Sequence, residues 1–144
     1  MSWKDYQTQQ IEALYRVAVQ LYVNPAGGPA PCECGCGRLG LQAHHCVKRS
    51  QEPGVRWMYE PIWGLWLCTT CHAQAHTEQD EFVRRMLARL DRIRPEKART
   101  LRLYMEKHDR LKCPDVSFQW LRDYLRRRIA LLQKDWARSY CCDV

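Results

Sequence analysis

Apolar residues recur at helical spacing near both ends of the chain and lose that spacing in the middle. Over residues 3–23, Ile11, Leu14, Tyr15, Ala18, Leu21 and Tyr22 share one face while Gln, Lys and Glu fill the other, which predicts an amphipathic helix. The run Asn24-Pro25-Ala26-Gly27-Gly28-Pro29-Ala30-Pro31 ends it and predicts a stiff, turn-rich linker over 24–31. From Cys32 to His72 the helical period disappears, and Gly35, Gly37, Gly40 and Gly54 punctuate short apolar pieces. Leu39, Leu41 and Ala43 alternate, predicting a short strand that runs into His44-His45. A second strand is expected over Gly64-Leu65-Trp66-Leu67. A helix should start near Thr69 or Thr70, whose hydroxyls suit an N-cap, with His72 and His76 on one face.

The rest of the chain is predicted to be helical. Residues 79–93 place Phe82, Val83, Met86, Leu87, Leu90 and Ile93 on one stripe with arginines opposite, and Pro95 interrupts the pattern. Two more helices are expected over 97–109 and 117–138, parted at Cys113-Pro114-Asp115. The last carries Trp120, Leu121, Tyr124, Leu125, Ile129 and Leu132 on its apolar face. There is no internal repeat and no low-complexity tract.

A chain of 144 residues fits one domain with helical extensions. No apolar run has the roughly 18 residues of a transmembrane helix. Met1-Ser2-Trp3-Lys4-Asp5 lacks the apolar stretch of a signal peptide, so a soluble cytoplasmic protein is expected. The net charge of +7 sits unevenly: residues 1–76 hold six Lys/Arg against five Asp/Glu, and residues 77–144 seventeen against eleven. A basic excess of that kind favours a polyanionic partner, nucleic acid first.

The nine cysteines are odd in number, and five of them fall into two tight groups, Cys32/Cys34/Cys36 and Cys68/Cys71. That distribution points to a metal site in a reducing compartment rather than to disulfides. Cys46, Cys113, Cys141 and Cys142 read as free thiols. Cys68-x-x-Cys71 is a regular half of a zinc knuckle. Of the other group, Cys32 and Cys36 are the favoured pair, with Cys34 as the substitute. His44, His45 and His72 bracket the predicted hairpin and helix, so imidazoles converge where a divalent ion or a proton-accepting base would be needed.

Residues 32–76 resemble the core of the HNH (ββα-metal) endonucleases. The shared features are a cysteine knuckle, a strand ending in His-His, a loop, and Leu67-Cys68-Thr69-Thr70-Cys71-His72 opening a helix. With Val47-Lys48-Arg49-Ser50 and Arg56-Trp57 in the loop, the segment resembles the small HNH nucleases of phages and prophages, recombination-associated members among them. The resemblance covers about a third of the chain and implies an α+β fold: a zinc-stabilised core over 32–78, an N-terminal helix over 1–23 and a basic helical region over 79–144. It implies a metal-dependent DNA endonuclease in the cytoplasm of a bacterial or phage-infected host cell. His45 would be the general base that takes a proton from the attacking water. His44 and His72 would hold one catalytic Mg²⁺ or similar divalent cation, His76 adding a ligand or a phosphate contact. Cys32, Cys36, Cys68 and Cys71 would hold structural Zn²⁺, and Lys48, Arg49 and Arg56 would meet DNA phosphates.

The family's middle Asn falls nine residues before the last His, where this chain has Trp63, and its one Asn, Asn24, lies outside the core. Glu60 or a backbone carbonyl is left to orient His45. Trp57, Trp63 and Trp66 either stack on bases or fill a small core. A non-catalytic, zinc-dependent nucleic-acid-binding protein is the main alternative, and an adaptor using the Arg-rich helices is a third.

Overall fold

In the computed structural model, which describes residues 1–46, 58–107 and 116–142, the first helix forms where the apolar period places it. Helix α1 spans Trp3–Val23, and a reciprocal capping box between Ser2 and Asp5 starts it. Ile11, Tyr15, Ala18, Val19 and Leu21 are its buried face. At its C-terminal end the free carbonyls of Tyr22 and Val23 accept hydrogen bonds from the Arg94 guanidinium.

Two short strands follow. Strand β1, Gln42–His45, pairs antiparallel with β2, Gly64–Leu67, in the register Gln42↔Leu67, Ala43↔Trp66, His44↔Leu65 and His45↔Gly64. β1 begins at Gln42 rather than at Leu39, and Leu39 and Leu41 face solvent. A 3-10 turn, Pro61–Trp63, leads into β2. Four helices complete the order: α2 Thr69–Thr77, α3 Gln79–Ile93, α4 Pro95–Lys107 and α5 Phe118–Cys142. The architecture is α+β. Among the described residues, no helix is long and apolar enough to cross a membrane.

Every residue of β2 is buried, because the sheet is covered on both faces. Leu65 and Leu67 join Phe82, Val83, Met86, Leu87 and Leu90 of α3 and Leu101 of α4 in one core. Trp66 points the other way, into a second core with Ile11, Tyr15, Ala18 and Val19 of α1 and Leu121 and Leu125 of α5. Directly paired residues share a face, so His44, opposite Leu65, belongs to the α2–α3 side. His45, opposite Gly64, belongs to the α1 side. Gly64 leaves that side open: a Cβ there would stand 2.4 Å from the Tyr15 hydroxyl and 2.7 Å from Val19.

One helix start differs from expectation. The N-cap of α2 is Cys68, whose Sγ accepts from the Cys71 N–H, while Thr69 and Thr70 are exposed. Sulfur takes the place of a threonine hydroxyl because Cys68 is already fixed among other cysteines. The cysteine loop is anchored by a buried carboxylate. Glu33 accepts from the Trp66 N–H at 2.7 Å and from Lys97 Nζ at 2.9 and 3.0 Å, with Arg94 Nε 3.7 Å away. Glu33 and Lys97 are both buried. Lys97→Ala would strand that carboxylate in the interior, and a loss of about 3–5 kcal/mol is expected. Urea denaturation should show the midpoint fall with little change in slope; an unchanged midpoint would contradict this role.

Candidate metal centres and histidine site

Between β-bridge partners Pro31 and Leu39 the chain folds into a tight loop, closed by Cys32 N–H to Arg38 O at 2.9 Å and Gly35 N–H to Cys32 O at 3.1 Å. Gly35 and Gly37 sit at φ 78° and 83°, the left-handed region that glycine enters without strain. These turns present Cys32, Cys34 and Cys36 toward the start of α2. Sγ of Cys32, Cys34, Cys36 and Cys71 all lie within 4.8 Å of one another, a group that can hold a metal ion such as zinc. Cys32–Cys34 and Cys34–Cys71 approach to 3.1 and 2.7 Å. Two thiolates on one tetrahedral zinc stand about 3.8 Å apart, so the sulfurs are already gathered to metal-site spacing or closer.

Cys34 is therefore inside the tightest group. Cys68, which the spacing paired with Cys71, stands at its edge, with Sγ 3.7 Å from that of Cys36. The left-handed turns at Gly35 and Gly37 shape the loop that carries Cys34 and Cys36, and spacing alone does not reveal them. Burial acts to raise the Cys68 thiol, but the Cys71 N–H and the neighbouring thiols bring it down to about 6. Burial likewise opposes ionisation of Cys34, and hydrogen bonds from Cys71, Cys32 and Cys36 overcome it. Cys32 goes the other way, pushed up to about 12 mainly by burial. A bound cation would be what ionises the remaining thiols.

The second cluster lies one residue further along α2. His72 and His76, four apart, and the buried His44 bring ring nitrogens within 4.8 Å of one another. The Nε2 atoms of His72 and His76 are 3.0 Å apart, close to the roughly 3.3 Å between two imidazole ligands of a tetrahedral ion. The Gln42 side-chain oxygen accepts a hydrogen bond from His72 Nδ1. That places the proton on Nδ1 and leaves Nε2 as the ligating atom. Burial, and then the charges of His76 and His45, lower the pKa of His72, which keeps the ring neutral as metal ligation needs.

His45 is held separately. Its Nδ1 lies 2.8 Å from the Met58 carbonyl and its Nε2 3.1 Å from Glu12 Oε2. Tyr15 stacks flat against the ring, with centroids 4.4 Å apart and planes 6° apart, and Tyr59 meets it edge-on. The backbone carbonyl of Met58 thus orients His45. Glu60 is engaged elsewhere, by the Tyr124 hydroxyl of α5. Trp63 is buried in the core with Leu65 and Phe82, and Trp66 is buried against α1, so both fill the interior rather than offering faces to bases. Lys48, Arg49, Arg56 and Trp57 lie outside the described residues.

Glu12, Gln42 and Met58 were not singled out by the sequence. Glu12 reads as one more polar residue on an amphipathic helix, Gln42 as a strand residue, and Met58 acts through its backbone, which carries no side-chain signal. No family model, no curated protein and no solved structure matches the chain.

The thiolate cluster makes a direct prediction. Cys34→Ser and Cys71→Ser should each lower zinc in the purified protein well below one equivalent, measured by elemental analysis, while Cys68→Ser keeps most of it. Full zinc in Cys34→Ser would show that the metal uses Cys68 instead.

Proposed function

We propose that this protein is a metal-dependent DNA endonuclease built on a ββα-metal core, with β1, β2 and α2 as its three elements. One observation carries the reading. Three imidazoles, His44, His72 and His76, converge on one point, while the next residue after His44 is a fourth imidazole fixed through Nδ1. Thiolates suit a structural zinc and imidazoles a working divalent ion. The two sets are distinct, and α2 contributes Cys71 to one and His72 and His76 to the other.

In this reading His44, His72 and His76 hold the ion, which supplies positive charge to the scissile phosphate and the departing 3′ oxygen. Because Nδ1 of His45 donates to the Met58 carbonyl, Nε2 is the nitrogen that takes the proton from the attacking water. The Tyr15 stack and the Tyr59 edge contact keep that ring from turning. They supply the orientation for which the family uses Asn, and Trp63 is free to serve as core. The excess of Lys and Arg in residues 77–144 supports a phosphate backbone as the partner. Recombination or replication-associated processing in a phage or prophage setting is the biological context that fits the resemblance.

The test is a panel of Mg²⁺, Mn²⁺, Ni²⁺ and Zn²⁺ against single-stranded, nicked, branched and duplex DNA. Wild type should cut at least one substrate, and His45→Ala should cut it about 100-fold more slowly or worse, with zinc content and helicity retained. No cleavage by wild type, with equal DNA affinity in both proteins, would instead make it the zinc-dependent binding module that Trp63 in the Asn position favours. In the same proteins Gln42→Leu should weaken divalent-ion binding at the histidine cluster about 10- to 100-fold by calorimetry. Unchanged affinity would remove Gln42 from the site.

A further inference from the structure

Arg85, Arg89, Arg94 and Arg102 differ in what holds them. Arg89 donates to the Glu33 carbonyl at 2.8 Å, Arg94 to the last carbonyls of α1, and Arg102 to the Asp91 carboxylate. Donors of these three are committed to the fold. Arg85 is held in another way. Its Cζ stands over the Phe82 ring, 5.9 Å from the centroid, and the Glu78 carboxylate is 3.7 Å from a guanidinium nitrogen. An aromatic face attracts the cation and consumes none of its five N–H donors. A gap of 3.7 Å is longer than an N–H···O hydrogen bond, and both members of the pair are more than half exposed, so water screens it.

The helix fixes where this guanidinium stands. Phe82, Arg85 and Arg89 recur at spacings of three and four along one face of α3. At one end of that stripe Phe82 is buried and meets His44 at a steep angle, with ring centroids 6.4 Å apart. At the other end Arg89 is seated on the cysteine loop, where a Cβ on Gly35 would fall 2.3 Å from its Cζ. Arg85 lies one helical turn from each. It therefore stands beside the imidazole cluster, on the side of it that leads toward the thiolates.

Resting on the endonuclease reading, we propose that Arg85 grips the phosphate next to the scissile one. The strand then seats with one linkage on the histidine-bound ion and a neighbouring linkage on the guanidinium. The buried Phe82 ring separates Arg85 from His44, which gives the ion one phosphate and the arginine another. Guanidinium and phosphate match as a two-point, charge-assisted hydrogen-bonded pair. An arriving phosphate takes the place of Glu78, whose exposed carboxylate moves into solvent. Such a contact reads no base and positions the strand. It also requires a phosphate beyond the cut, which makes an internal linkage a better substrate than a terminal one.

The experiment has a binding arm and a cleavage arm, both on the full chain with zinc bound. Affinity for a labelled DNA duplex is measured against salt concentration without added divalent ion. The slope of log affinity against log salt should be shallower by about 0.9 in Arg85→Ala than in wild type, the change expected for one phosphate contact. Arg99→Ala, which removes the same charge from an exposed site on α4, should leave the slope unchanged. Arg85→Lys should keep the slope and bind more weakly. For cleavage, a strand cut at one linkage carries an uncharged methylphosphonate at the linkage on one side or the other. One of the two should slow wild type about tenfold and cost Arg85→Ala nothing further. An equal slope in folded Arg85→Ala, or an equal fall in slope in Arg99→Ala, overturns the contact. So does a methylphosphonate penalty that Arg85→Ala retains in full. If the slope difference is present but wild type cuts no DNA, the endonuclease reading falls and the phosphate contact stands. No salt-dependent binding by wild type overturns both.

Discussion

A carboxylate buried between two cysteines holds the molecule together. Glu33 follows Cys32 and precedes Cys34, and it takes a backbone N–H from Trp66 in the sheet and the ammonium of Lys97 in α4. Its own backbone is tied in as well, with N–H to Trp66 O at 2.9 Å and carbonyl to Arg89 Nε at 2.8 Å. One residue thus fastens the cysteine loop to β2, α3 and α4 at once. Without its partners such a charge would be expelled from the interior; with them it fixes where three sulfurs stand relative to the start of α2.

The functional consequences run along α2. Cys68 caps the helix, Cys71 faces the thiolate cluster, and His72 and His76 face the imidazole cluster. A single short helix is common to two ligand sets of different chemistry, so ordering the first turn by sulfur also orders the second by nitrogen. The sheet adds a second division. Alternation along β1 sends Gln42 and His44 to the α2 side and His45 to the α1 side, and the missing side chain at Gly64 lets Tyr15 slide beneath the His45 ring.

Much of this was legible in the residues. The spans of α1, β2 and α3 follow from period and punctuation, and the convergence of His44 with His72 follows from a hairpin whose second strand runs into a helix. Other features were not legible, for physical reasons. The approach of Cys34 to Cys71 depends on a loop whose left-handed turns at Gly35 and Gly37 spacing does not encode. Ile93, assigned to an apolar stripe, is half exposed, and α4 begins at Pro95 rather than after it, because proline is tolerated in a first helical turn. Glu33–Lys97 joins residues far apart in the chain, each of which reads as an ordinary surface charge. The partners of His45 come from α1 and from a backbone carbonyl, and neither has a local signature.

Cys32, Cys34, Cys36 and Cys71 are one candidate metal centre and His44, His72 and His76 a second, with α2 contributing to both. Native mass spectrometry of the protein titrated with zinc tests this division most directly, comparing wild type with His72→Ala. A tight first equivalent is expected in both proteins and a weaker second equivalent in wild type only. A single equivalent in wild type that His72→Ala abolishes would contradict it, because cysteines and histidines would then share one ion.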